Sequence, residues 1–190
     1  MKKDLNNKIT RFNQEMIYKV TNTFIDLLTR KNFNDISVKE ICKITDYPRG
    51  TFYNYFFDLK DLLIYVFSSW KEDLHLEDLD SSDNDFIFHV FDRLYTFLDD
   101  NRYVFEKIIN KNNLESAFFY AFNRYFREEI ANYIQKNNYE DLKDLPIEIC
   151  QDYYADVIIL VLKYAFFVNK DTTKEEAQKY LVELLHVNKE

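Results

Sequence analysis

The scarcity of glycine limits the fold of this chain more than any other feature of its sequence. The 190 residues include one glycine, Gly50, and two prolines, whereas about 7% glycine is usual. Glycine supplies the left-handed turns of β-hairpins and the loops that hold phosphates. A single glycine excludes the motifs G-x-G-x-x-G and G-x-x-x-x-G-K-S/T. We therefore predict an all-α protein whose turns use Asn and Asp, which tolerate left-handed backbone.

Composition narrows the class of protein further. Hydrophobic residues make up 47% of the chain and aromatic residues 18%, so aromatic side chains can fill a core. Cys42 and Cys150 have no zinc-ligand spacing, which predicts reduced thiols in a cytoplasmic protein. The longest apolar run, around 155–168, contains Asp156 and Lys163 and is shorter than a membrane-spanning helix. We expect no membrane association.

The charge of the chain is distributed unevenly. The net charge is −8, which by itself argues against binding to nucleic acid. Residues 1–63, however, hold 11 Lys and Arg against 8 Asp and Glu, and residues 64–190 hold 14 against 25. A mildly basic N-terminal part on an acidic remainder suits a protein that contacts an anion with one end.

Apolar residues recur at intervals of three or four, which predicts nine or ten helices and no strand. Ser37 and Glu40 form a capping box that begins the second helix, and Asp58 is the predicted N-cap of the fourth. Asn32 is the predicted left-handed residue that ends the first helix. The second predicted helix begins at Ser37 and has about two turns, and the fourth begins at Asp58 and continues beyond Phe67. The other predicted helices span about 10–31, 48–55, 86–99, 102–111, 114–137, 146–169 and 173–187.

Two short helices meet at a tight turn near residues 46–48, after a long first helix. This order is typical of a helix-turn-helix unit, whose second short helix lies in the major groove of DNA. The second short helix offers hydrogen-bonding side chains. Phe52 and Phe56 lie four residues apart, which predicts that both pack inward. The hydrogen-bonding residues are Arg49, Thr51, Tyr53, Asn54 and Tyr55.

Residues 10–63 resemble the N-terminal domain of the TetR/AcrR family of transcriptional regulators. The resemblance rests on Gly-Thr-Phe-Tyr-x-Tyr-Phe at 50–56, followed by Lys60 and Leu62. The chain departs from the family pattern in its turn, where Asp46 replaces a glycine and Pro48 replaces a serine. Asp can adopt the left-handed conformation, and Pro48 favours the start of a helix.

The resemblance implies a TetR-like architecture and a set of DNA-contacting or contact-enabling residues. A three-helix DNA-binding domain would span 1–63, and a helical ligand-binding and dimerisation domain would span 64–190. Packing against the first helix is the alternative for Tyr53 and Tyr55. The implied DNA-binding residues are Ser37, Lys39, Arg49, Gly50, Thr51, Tyr53, Asn54, Tyr55 and Lys60.

The C-terminal part has a less specific signature. Segments 97–109 and 118–134 resemble a subgroup that includes regulators of dihydroxyacetone kinase operons, and that ligand is not carried over. Aromatic residues at helical spacing predict either a ligand pocket or a core. The candidates for the pocket are Trp70, Phe91, Tyr95, Phe118, Phe122 and Tyr125.

An apolar stripe on the last two helices predicts a dimer interface. By resemblance, two such helices from each subunit would pack as a four-helix bundle. The alternative is a stripe that belongs to the core of one subunit, and spacing does not separate the two. The stripe comprises Tyr154, Ile158, Val161, Leu162, Ala165, Leu181 and Leu185.

These features favour a homodimeric DNA-binding regulator, a repressor that a small-molecule effector releases from a palindromic operator. The second hypothesis is a TetR-like DNA-binding protein controlled by a protein partner. An enzyme is disfavoured because no catalytic motif is present, and we expect neither a cofactor nor a metal, since His75, His89 and His186 lack a ligand spacing. We interpret Gly50 as a position with no room for a β-carbon, against either DNA or a neighbouring helix.

Overall fold

The described part of the chain is helical throughout. The structure, a computed structural model, describes residues 11–80, 85–137 and 145–185. Within these ranges the elements are α-helices, two 3-10 turns and one π-helix. The α-helices are α1 Arg11–Arg30, α2 Val38–Thr45, α3 Arg49–Tyr53, α4 Leu59–Glu72, α5 Phe86–Asp100, α6 Arg102–Lys111, α7 Ala117–Lys136, α8 Ile147–Lys163 and α9 Lys174–Leu185.

The predicted all-α fold is confirmed, and its helix boundaries agree closely with the apolar spacing. The first predicted helix is α1, and the prediction for 102–111 coincides with α6. The predicted helix over 146–169 is α8 followed by a π-helical turn at Tyr164–Val168. Of the predicted helices, residues 10 and 186–187 lie outside the described residues.

One compact unit consists of residues 11–70 together with Val104–Tyr120. Its core is formed by the predicted apolar face of α1, where Met16, Val20 and Phe24 are buried. Helix α4 begins with a reciprocal cap, because the Asp61 N–H donates to Asp58 Oδ1 at 2.9 Å. The Phe57 N–H donates in turn to Asp61 Oδ2 at 3.0 Å. The predicted start of the fourth helix is therefore confirmed.

The prediction for Asn32 is wrong. Its backbone is extended, with φ −65° and ψ 144°, and its side chain caps the 3-10 turn Phe33–Asp35. The Asn32 side-chain oxygen accepts a hydrogen bond from the Asn34 N–H at 3.0 Å. The connection after α1 is thus closed by a second short turn, which sequence reasoning does not anticipate because Asn favours both conformations.

The second compact unit consists of Lys71–Tyr103 and residues 121–185. Its interior is rich in aromatic rings, and the rings of Tyr95 and Phe166 have centroids 4.8 Å apart. Arg127 on α7 donates to both carboxylate oxygens of Asp156 on α8, at 2.5 and 3.1 Å. These contacts hold α7 and α8 together at the surface of this unit. The functional division at residue 63 remains a prediction.

Candidate nucleic-acid interface

Helices α2 and α3 form the predicted helix-turn-helix. The Ser37 side chain accepts from the Glu40 N–H at 3.2 Å, as expected for an N-cap. Asp46 has φ 58° and ψ 34°, the left-handed conformation predicted for the turn. Pro48 precedes α3 with φ −59° and no side-chain cap. A short capped helix, a left-handed turn and a proline therefore set where α3 begins.

Most of the predicted DNA-contacting side chains face solvent. Tyr53 is 43% exposed, and Thr51 is half-buried. Phe52 and Phe56 are buried, as expected for the inward face. The predicted residues that are exposed in the protein, besides Tyr53, are Ser37, Lys39, Arg49, Gly50, Asn54 and Lys60.

Tyr55 lies apart from this exposed set. Its side chain is 5% exposed, so the ring packs within the compact unit. The structure therefore favours the alternative that the sequence left open for this residue. Helix α3 ends at Tyr53, and Tyr55 lies in the turn that follows the helix.

Gly50 lies in open space. A β-carbon built on Gly50 would have no described atom within 4 Å, and the backbone φ of Gly50 is not positive. The interpretation that a neighbouring helix excludes a β-carbon is therefore wrong. Neither packing within the described residues nor backbone conformation requires glycine at this position, although Gly costs about 1 kcal/mol against Ala in a helix. What remains of the interpretation is close approach by a partner.

Four basic side chains of this region have no acidic partner among the described residues. They are Lys39, Lys43, Arg49 and Lys60, and all four are exposed. By contrast, Lys31 forms an ion pair with Glu40 at 2.6 Å, and Lys19 forms one with Glu15 at 3.1 Å. Unpaired, solvent-facing cations are free to bind phosphate oxygens.

Lys43 was not among the residues predicted from the sequence. It lies four residues after Lys39 on α2, so the two side chains share one face of the helix. This spacing is the signal that could have identified it. Helix α2 thus carries Lys43 on the same face as the predicted Lys39.

Cys42 is an inert part of the core. The thiol is buried, and this burial raises its pKa, an effect that the nearby Arg49 guanidinium opposes more weakly. A thiol with a raised pKa stays protonated at neutral pH and is a poor nucleophile. The structure therefore favours a structural role for Cys42.

The aromatic residues predicted to line a ligand pocket pack mainly against other rings. In the first unit, Trp70 contacts Phe67 and Phe105 at centroid distances of 5.7 and 5.2 Å, and Phe67 contacts Phe118 at 5.9 Å. In the second unit, Phe91 and Tyr95 are buried. These contacts favour the core alternative for most of the set. Of the predicted pocket residues, Phe122 lines one of the hollows described below. Tyr125 is half-buried, and its ring packs against that of Phe126.

The described residues of the second unit include the lining of two hollows that differ in character. The first, an open cleft of about 700 Å³, is lined by polar and charged side chains that include His89, Asp92, Arg93 and Lys174. The second is an apolar seam lined by Phe97, Phe122, Phe126, Ile159 and Phe167, among others, with a volume of about 20 Å³. A space of that size holds about one water molecule. The seam is therefore closed to a larger ligand in this conformation.

The stripe predicted as a dimer interface lies inside the second unit. Tyr154, Ile158, Val161, Leu162, Ala165 and Leu181 are all buried, and Leu185 is half-buried. The structure therefore favours the alternative, an internal core stripe. These side chains offer little surface to a second subunit.

A different apolar face of α8 and α9 is exposed. Leu160 is 54% exposed and Val168 is 58% exposed. Tyr164 belongs to the same face, and its ring lies 5.9 Å from that of Tyr180 on α9. We call this surface the outer stripe; it comprises Ile149, Tyr153, Leu160, Tyr164, Val168, Tyr180 and Leu184.

Among the described residues, no group of three or more His, Cys, Asp or Glu residues is placed to hold a metal ion. None of the described helices is both long enough and apolar enough to cross a bilayer.

Comparison with known proteins gives matches of structure. No protein-family model matches the chain, and no curated protein matches its sequence. A solved structure from Syntrophomonas wolfei, assigned to the TetR family of transcriptional regulators, superposes with a TM-score of 0.67 and 17% identity over 91% of this chain and 94% of that one. The dihydroxyacetone kinase operon activator DhaS superposes with a TM-score of 0.58 and 20% identity, over 90% and 94%. The chain therefore has the TetR-like fold that residues 10–63 predict.

Proposed function

We propose that this chain is a sequence-specific DNA-binding transcriptional regulator, a repressor that acts as a homodimer in the cytoplasm. One observation carries the proposal. In a chain with a TetR-like fold, the predicted recognition helix presents exposed Arg49 and Tyr53 beside a glycine that the protein's own packing does not require. Such a surface suits close approach to a DNA groove.

The exposed residues divide into two kinds of contact. Arg49 and Tyr53 lie on α3 and can reach base edges, where an arginine binds guanine with two hydrogen bonds. Lys39, Lys43 and Lys60 lie on α2 and at the start of α4, and they are suited to phosphate oxygens. The first kind of contact gives sequence preference, and the second gives affinity that depends on salt.

A second copy of the chain is the proposed occupant of the outer stripe. Helix α3 has five residues, so one subunit reads only a few base pairs. A two-fold dimer places two such helices on half-sites one DNA turn or a multiple apart. The outer stripe offers exposed apolar side chains for such a dimer, whereas the side chains of the buried stripe are covered within the unit.

A small molecule that binds the second unit is the proposed effector. It would lower DNA affinity only if it bound the DNA-free and DNA-bound states with unequal affinity. The open cleft of about 700 Å³ suits a polar molecule, since Asp92, Arg93 and Lys174 offer charges of both signs. The apolar seam would have to open before it admitted a ligand.

Binding to DNA is tested by selection from a pool of random-sequence duplexes, followed by mobility shifts with the selected site. The triple variant Arg49→Ala, Tyr53→Ala, Lys60→Ala should lose selective binding. The matched control is Arg124→Ala, Tyr103→Ala, Lys136→Ala, which changes the same residue types away from the helix-turn-helix. Failure to enrich any sequence, or selective binding by the first triple variant equal to that of the unaltered protein, would refute the proposal.

Control by a protein partner is the second candidate, and the closed apolar seam favours it. The second unit also exposes a run of acidic residues, including Glu72, Asp73, Glu77 and Asp78, which could form a polar docking surface. A thermal-shift screen of polar and apolar metabolites separates the two candidates. A ligand that both stabilises the protein and releases the selected duplex supports the small-molecule effector over the protein partner.

A further inference from the structure

A single asparagine joins two distant stretches of the chain within the first unit. Asn112 follows α6 directly, and its side chain is completely buried. The asparagine amide lies within hydrogen-bond distance of four backbone groups, three of them 79 to 84 residues away in sequence. Burial of an amide costs free energy unless both its oxygen and its nitrogen find hydrogen-bond partners.

Each end of the Asn112 amide matches the groups that it meets. Its oxygen accepts from the Phe33 N–H at 2.7 Å. Its nitrogen donates toward the carbonyl oxygens of Leu28 at 3.2 Å and Lys31 at 3.3 Å, and toward Ile108 of its own helix at 3.2 Å. The last carbonyls of a helix have no partner within that helix. Asn112 therefore serves as a C-terminal cap for α1, supplied from elsewhere in the chain.

A second amide repeats the link in the opposite direction. The Asn32 side-chain nitrogen donates to the Lys111 carbonyl at 3.3 Å. Its oxygen accepts from the Asn34 N–H at 3.0 Å, within the turn that follows α1. The end of α6 and the connection after α1 thus hold each other through two side-chain amides.

This connection determines where α2 begins. Three residues separate Phe33 from Ser37, the N-cap of α2, and Phe33 is itself buried against Phe24 with ring centroids 6.2 Å apart. The ion pair between Lys31 and Glu40, at 2.6 Å, ties the same connection to the first turn of α2. A displacement of Phe33 therefore displaces the start of α2, and α2 packs against α3.

We propose that Asn112 is a positioning residue for DNA recognition: it fixes α2 and α3 relative to α1 without touching DNA. The inference rests on the proposed function, since a recognition helix is what it positions. It concerns a part of the chain, residues 104–120, that lies outside the predicted DNA-binding domain at 1–63. The sequence shows there only an Asn-Asn pair typical of a loop.

The matched test is Asn112→Asp compared with Asn113→Asp. In Asn112→Asp the side chain keeps an oxygen for the Phe33 N–H but directs a carboxylate oxygen at the carbonyls of Leu28 and Lys31. Asn113 is exposed, and its oxygen accepts only from the nearby Glu115 N–H at 3.1 Å, so its substitution makes the same change of charge next door. Asn112→Leu removes the hydrogen bonds without adding charge.

Two readouts are measured at a temperature where circular dichroism shows every variant to be as helical as the unaltered protein. Affinity for the selected duplex should fall at least tenfold in Asn112→Asp and Asn112→Leu, and stay within twofold in Asn113→Asp. Amide hydrogen exchange at Phe33 and at the start of α2 should accelerate at least tenfold in the two Asn112 variants. Exchange in α8 should be unchanged.

Three results would overturn the inference. Unchanged affinity in the Asn112 variants would do so, and so would unchanged exchange at Phe33. Loss of helix content in both Asn112 variants at every accessible temperature would show instead that Asn112 supports the whole fold. Failure of the unaltered protein and of Asn113→Asp to bind any duplex is a different outcome, since it refutes the proposed function.

Discussion

At the scale of single residues, Gly50 is the position where sequence and structure together are most informative. Among the described residues the left-handed positions are occupied by Asp46 and His75, and the one glycine lies inside α3. The structure removes two ordinary reasons for it, since the backbone φ is not positive and a β-carbon would meet nothing within 4 Å. Among the described residues no packing reason for this glycine is left, and close approach by DNA is the reason we propose.

Replacement of Gly50 should therefore separate stability from DNA binding. Gly50→Ala should raise the free energy of unfolding by up to about 1 kcal/mol, because alanine loses less backbone entropy in a helix. The larger Gly50→Val should abolish selective binding while the fold and the dimer persist. Urea denaturation and mobility shifts measure the two effects. Normal binding by Gly50→Val would exclude close approach of DNA at this position.

Lys43 offers a second test at the same scale. If Lys43 contacts a phosphate, Lys43→Ala should weaken binding to selected and random duplexes alike, and the slope of log K against log salt should fall in magnitude by about 1. Lys136→Ala, on α7, removes the same charge and should leave the slope unchanged. A loss confined to the selected sequence would assign Lys43 to base recognition.

Residue-level predictions succeeded where a local rule applies and failed where orientation decides. The capping by Ser37 and the conformation of Asp46 follow from local chemistry, and both are confirmed. The difference between exposed Tyr53 and buried Tyr55 could not be predicted, because α3 has only five residues. Fewer than two turns do not define an apolar periodicity.

At the scale of elements, the turn between α2 and α3 is held by one left-handed residue. Asp46 should be replaceable by glycine with little change in stability, since Gly adopts this conformation readily. Asp46→Val should cost on the order of 1–2 kcal/mol, because a β-branched side chain clashes with the backbone there. Chemical denaturation of both variants measures the costs.

The control for the turn is the same pair of substitutions at Asp35. Asp35 is exposed and does not have a positive φ, so glycine there should be no better than valine. Equal effects of valine at Asp35 and at Asp46 would show that the left-handed conformation of Asp46 adds no strain. Affinity for the selected duplex should fall in Asp46→Val under conditions where the protein is still folded, because the turn sets the direction of α3 relative to α2.

At the scale of elements, the spacing of apolar residues in α8 and α9 left two alternatives open, a dimer interface and an internal core stripe. Their buried stripe has the helical spacing that the sequence analysis identified, and that spacing reports only that one face is apolar. Helix α8 has apolar residues on two faces, and burial separates Ile158 from Leu160 although they are two residues apart. Which face meets the core depends on the neighbouring helices, which a pattern in one helix does not contain.

At the scale of the whole molecule, the outer stripe predicts the oligomeric state. Leu160→Asp with Tyr164→Asp should convert the proposed dimer to a monomer, because each substitution places a charge in the proposed apolar interface of both subunits. Sedimentation velocity measures the change, and affinity for a palindromic duplex should fall with it. Tyr103→Asp with Tyr120→Asp changes two exposed tyrosines on α6 and α7 and serves as the control. A dimer that survives the first pair of substitutions would exclude the outer stripe.

The Asn112 link has a practical consequence for the design of chimeric proteins that use the proposed DNA-binding helices of this chain. A gene fragment that ends at residue 63 or 70 encodes α1, α2 and α3 but omits the amide that caps α1 and binds Phe33. Such a fragment would keep every residue of the proposed recognition surface but lose the Asn112 side chain that we propose fixes α2 and α3 relative to α1. A chimera that transplants this DNA specificity onto another sensor should therefore carry residues 104–120 as well, so the portable module is discontinuous in the gene.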